Sequence, residues 1–128
     1  MKVEVSIDIE DEVRKALNSY LTAYCRPLPA SFSTPCILIT QVGGSEISGK
    51  IDAFDVTIDA RSTSAGEANE YMRKAIGILK EVAKQQTTAI RHIEVNASGA
   101  WGSDPARPDL SMYSARLRVV AHPEQITI

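Results

Sequence analysis

The stretch FDVTIDARSTSAGEANE, residues 54–70, changes its hydrophobic period from two to about 3.6 within a few positions, a change that few architectures can absorb. Phe54, Val56, Ile58 and Ala60 fall on one side of an extended chain. Asp55, Thr57, Asp59 and Arg61 fall on the other, because successive side chains of a strand alternate faces. Ser64 and Glu67 then form the S-x-x-E pattern of a capping box. Behind it Ala68, Tyr71, Met72, Ala75, Ile76, Leu79, Val82 and Ala83 make a helical apolar stripe. The junction therefore reads as a strand leaving a sheet, followed by a helix that folds back over the strand's apolar side.

The remaining segments fit that unit. Residues 9–24 space Ile9, Val13, Ala16, Leu17, Tyr20, Leu21 and Tyr24 as one face of a helix, with Asp8 as N-cap and Glu10, Asp11 and Glu12 at the positive end of its dipole. Residues 2–7 alternate as a short strand or form an arm that orders against a neighbour. Residues 26–35 hold three prolines and form an irregular connection, and residues 36–42 are a buried strand ended by Gly43 and Gly44. Residues 45–50 read as a polar loop. Residues 89–97 and 111–121 alternate as two more half-buried strands, joined by a Gly-, Pro- and Asp-rich segment, residues 98–109, that reads as irregular. The expectation is a single α+β domain over residues 1–128. Two helices cover one face of a four-stranded, mainly antiparallel sheet in the order αββαββ, with the N-terminal strand or arm in front.

At 128 residues and 44% hydrophobic content the chain suits one core. Its formal charge of −2 lacks the basic excess of a phosphate-backbone binder. No apolar run reaches the roughly 20 residues of a membrane span, and the acids of MKVEVSIDIEDE are unlike a signal peptide, so a cytosolic protein is expected. Cys25 and Cys36 match neither a redox pair nor a zinc knuckle and read as reduced thiols. His92 and His122 have no companions at ligand spacing; no metal and no cofactor are expected.

The polar side of the sheet draws Asp55, Asp59 and Arg61 from one strand, His92 and Glu94 from another, and Arg116 and Arg118 from the last. Asp55 and Asp59 are four strand residues apart, roughly 13 Å, too far for a carboxylate dyad. His92 and Glu94 have no nucleophile or oxyanion loop beside them, and Gly43-Gly44 does not lead into a helix N-terminus as a phosphate cradle would. The face reads as a surface of cross-strand charge pairs and not as a catalytic site. Trp101, flanked by Gly99, Ala100 and Gly102, reads either as a pin between a loop and the core or as a contact where subunits meet.

Three stretches together resemble one family. They are Pro35-Cys-Ile-Leu-Ile running to Gly43-Gly44, DVTIDAR leading to a helix that opens AGEAN, and DPARPDLSMYSARLRVVA. Their order, over residues 35–123, is similar to that of the tail terminator proteins of long-tailed, lambda-like bacteriophages and their relatives. The resemblance implies a structural protein of a phage or prophage, found in the host cytoplasm during assembly and then in the virion tail. It forms a homo-oligomeric ring, usually a hexamer, that caps the tail tube, ends its polymerisation and offers the surface for head joining. The implied partners are other copies of the chain, the major tail tube protein and the head–tail connector protein, with DNA passing through the lumen without specific contact. On this reading Asp55, Asp59, Arg61, Arg116, Arg118, Trp101, Gly43 and Gly44 are the expected interface residues. A head-closure ring protein and a small-molecule-binding regulatory domain are the competing readings.

Overall fold

The computed structural model describes residues 1–48 and 50–128. Its elements are β1 (Lys2–Val5), α1 (Ile9–Asn18), β2 (Ala23–Cys25), β3 (Cys36–Ser48), β4 (Ile51–Ser62), α2 (Ala65–Gln85), β5 (Ile90–Ser103), β6 (Ser111–Ala121) and β7 (Glu124–Thr127). The main sheet has five strands in the order β2-β3-β4-β6-β5, and β1 and β7 make a separate two-stranded ribbon. All pairings are antiparallel except that of β2 with β3.

The α+β class and the mainly antiparallel sheet are as expected, and the strand number is not. β2 is three residues long, too short to carry a period. It holds its place because it pairs in parallel with Ile37, Leu38 and Ile39 of β3. β7 is similarly short and is defined by β1, across the register Val3↔Ile126. The N-terminal strand therefore orders against this chain's own last strand.

Three expected boundaries move. Helix α1 stops at Asn18, whose side-chain oxygen accepts the Ala23 amide at 2.9 Å and so turns the chain into β2. Tyr20 and Tyr24 keep helical spacing without lying on a helix, and Tyr20 is 72% exposed. β3 runs on through Ser48 as one arm of a hairpin with β4, so the expected loop is strand over residues 45–48; Gly49 lies outside the described residues. β5 runs on to Ser103 through β-bulges, and the irregular connection shrinks to residues 104–110. A bulge tolerates the small residues of this stretch, and Gly99 takes a left-handed φ of 81° there.

The 54–70 junction forms as read, with one change in the cap. The Ser64 hydroxyl accepts the Glu67 amide at 3.3 Å, but the Glu67 carboxylate turns to the Ser62 hydroxyl at 2.5 Å, and Ser62 in turn accepts the Ser64 amide. Ser62 does the work assigned to the second half of the box. Both helices lie on one face of the sheet. Between them and it are Val13 and Leu17 of α1, Met72, Ala75 and Leu79 of α2, and Ile37, Ile39, Val56, Ile58, Leu117 and Val119 of the strands. Each fully buried Val, Leu, Ile or Met side chain of this set contributes about 1.5–3 kcal/mol.

Candidate functional site

The register of the main sheet sorts the polar residues of its helix-free face into rows. Gly43, Asp55, Arg118 and Glu94 form one row across β3, β4, β6 and β5. Thr40, Thr57, Arg116 and Ala97 form the next, and Leu38, Asp59 and Ser114 the one after. This register brings Asp55, Asp59, Arg116 and Arg118 together. Within it the Ser114 hydroxyl donates to Asp59 Oδ1 at 2.5 Å. Among the described residues no ion pair is closed between Arg118 and either Asp55 or Glu94, so a guanidinium stands between two carboxylates with its donors uncommitted.

Arg61 behaves differently from the other expected interface residues. It is 8% exposed, and its Nε donates to Asp104 Oδ2 at 2.9 Å. Residues 104–110 fold over this end of the face and bury the pair. The Ala106 amide donates to Asp104 Oδ1 at 2.9 Å, and Leu110, which ends the loop and whose carbonyl accepts the Asp104 amide at 3.3 Å, is buried. Burial alone would raise the Asp104 pKa. The hydrogen bonds from Arg61 and from the Ala106 amide outweigh it and hold the carboxyl below its ordinary value. The charge of Arg61 is thus answered inside the chain, although its Nη1 is buried without a partner.

Cys36 stands opposite Arg61 in the β3–β4 register and is fully buried. Burial pushes its thiol up to about 11, against the pull of the Arg61 guanidinium, so it is a protonated, unreactive thiol at neutral pH. Among the described residues no cluster of three or more His, Cys, Asp or Glu side chains could hold a metal ion. His122 sits with Nδ1 3.0 Å from the Lys50 carbonyl.

Two glycines of the expected set have local reasons to be glycine. A Cβ on Gly44 would lie 2.9 Å from the Ala53 carbonyl oxygen, a backbone atom that cannot yield, so any other residue forces the hairpin apart. Gly43 sits at the bulge after Gln41, against Asp55. Trp101 lies on β5 opposite Tyr113 and is 61% exposed, so it does not pin a loop to the core. Its strand forms one edge of the main sheet, with no further strand paired on its outer side among the described residues. On the other side, Glu10 closes part of the β3 edge: its Oε2 accepts the Gln41 amide at 2.9 Å and an Arg26 N–H at 2.8 Å.

Several features escaped the sequence reading. The Arg61–Asp104 pair joins residues 43 apart in the chain. The only local hint was the Asp-Pro-Ala turn at residues 104–106, where an Asp side chain commonly binds the amide two residues on. A groove of about 580 Å³ also opens between the α1–β2 turn and the outer side of α2. The sequence matches no protein-family model and no curated protein.

Proposed function

We propose that the protein is a tail terminator of a long-tailed phage or prophage, a ring-forming subunit that caps the tail tube and presents a surface for head joining. The reading is carried by one observation, the uncommitted charge row of Asp55, Arg118 and Glu94 on a helix-free sheet face bounded by the free edge of β5. A closed ring needs two different patches on every subunit, each meeting the other on the next copy. A chain with a charged open face, a free strand edge and exposed Trp101 offers such non-identical patches. A row of charges left open within the subunit suits a surface that meets another protein, since exposed charges contribute little until a partner removes water from them. The resemblance of residues 35–123 to tail terminators supplies the biological setting.

The test is the state of the purified protein. By light scattering it is expected as a hexamer, or as a monomer that becomes a ring when tail tube protein is added. A monomer indifferent to tube protein at every concentration overturns the reading. Particles assembled without it are expected to carry overlong tubes; normal tails lacking heads would instead assign it to head closure.

A further inference from the structure

The ribbon and the groove are each incomplete alone. A two-stranded ribbon is marginal by itself in water, and β1 and β7 pack chiefly on each other. Their side chains sort by face. Val3 and Ile126 are register partners, with Met1 and Ile128 beyond them and Glu124 at the base. The opposite face holds Lys2, Glu4, Gln125 and Thr127. The outer end and the β7 side of the apolar face are open to solvent, with Met1 84%, Ile128 79% and Ile126 39% exposed, while Val3 and Val5 of β1 are half-buried. The groove presents Tyr20, Leu21, Ile78 and Val82, with Glu81 beside them, Gly77 in its wall and Lys74 at its rim, where an exposed ion pair with Glu70 at 3.3 Å leaves it open to exchange partners. A Cβ on Gly77 would meet nothing within 4 Å.

We propose that the ribbon of one copy lies in the α1–α2 groove of the next, with β7 running along α2. The spacing supports this. Glu124, Ile126 and Ile128 repeat every two strand residues, about 6.6–6.8 Å. Lys74, Ile78 and Val82 repeat every four helix residues, about 6 Å. Laid side by side, these steps set Glu124 against Lys74, Ile126 against Ile78 and Ile128 against Val82. The one acid of the apolar face then meets the lysine at the groove rim, and the two isoleucines meet the two aliphatic side chains. The contact is heterologous, as a ring joint must be, and it rests on the ring reading above.

The experiment measures self-association by analytical ultracentrifugation, with and without tube protein. Gly77→Trp fills the groove and Ile126→Asp puts a charge on the ribbon. Each is expected to weaken association about thirtyfold or more, as for a central interface residue, with the Gly77→Trp Tm no lower than that of the unsubstituted protein. Lys74→Glu and Glu124→Lys singly are expected to weaken it about two- to fivefold, and the double swap to restore it. If rings form undiminished in both Gly77→Trp and Ile126→Asp, this joint is wrong while the ring reading stands. If the unsubstituted chain never associates, both fall. A thermal shift from a metabolite panel that Gly77→Trp abolishes, with association unchanged, would give the groove to a small ligand and overturn the proposal.

Discussion

Strand β4 has two faces that differ in what holds them. On the helix side Val56, Ile58 and Ala60 are fully buried; on the other side Asp55, Thr57 and Asp59, one residue away in each case, remain half-exposed. The first face is held by removal of apolar area from water. The second is held by backbone ladders, with a few polar contacts such as Ser114 to Asp59. Its sealed end departs from this division, because Arg61 and Asp104 are polar and yet as buried as the core. Side-chain chemistry alone therefore does not decide which residues of the open face bear structural weight; cover by residues 104–110 does.

The largest expected effect lies at that sealed end. Asp104→Ala leaves a buried guanidinium unanswered and should cost about 3–5 kcal/mol in urea unfolding; a loss below 1 kcal/mol would return Arg61 to the open surface. Next, Ile58→Ala should cost about 2–5 kcal/mol, while Thr57→Ala beside it stays within about 0.5 kcal/mol. Equal losses would erase the distinction between the faces. Ser64→Ala should cost about 1 kcal/mol through the lost cap of α2. Arg118→Ala should change monomer stability by less than about 1 kcal/mol, so a larger loss would mean that the charge row is already closed within one chain.

Acid titration sharpens the same contrast. The folded-state pKa of Asp104 lies below its unfolded value, so its contribution is complete above the ordinary Asp value of about 3.9 and is lost as pH falls through the folded value. Below about pH 4 the Tm of Asp104→Asn should therefore fall less steeply than that of the unsubstituted protein. Cys36 offers a probe of the covering itself. Its thiol should resist a disulfide reagent in the native state and react once urea unfolds the chain, whereas reaction at native rates would show that the cover opens.

The 54–70 junction was legible because two periods and a cap all act within a few residues of each other, where local sequence and final packing agree. β2 and β7 were not, since three or four residues carry no reliable period and their stability comes from strands far away in the chain. The strand ends at residues 45–48 and 98–103 were hidden for the opposite reason: their polar and small residues read as loop, but ladder pairing with β4 and β6 overrides that preference. Asp55, Asp59, Arg116 and Arg118 were gathered correctly by alternation. The burial of Arg61 was invisible because it depends on a loop some forty residues downstream.

The pairing of β1 with β7 joins residues separated by nearly the whole chain. Contacts of such long range form late, once the intervening core has closed most of the loop entropy. During synthesis β7 is also the last of these elements to emerge. Under the ring joint proposed above, the arm that would engage a neighbour is thus expected to mature after the body has folded, which would delay joining until a subunit is complete.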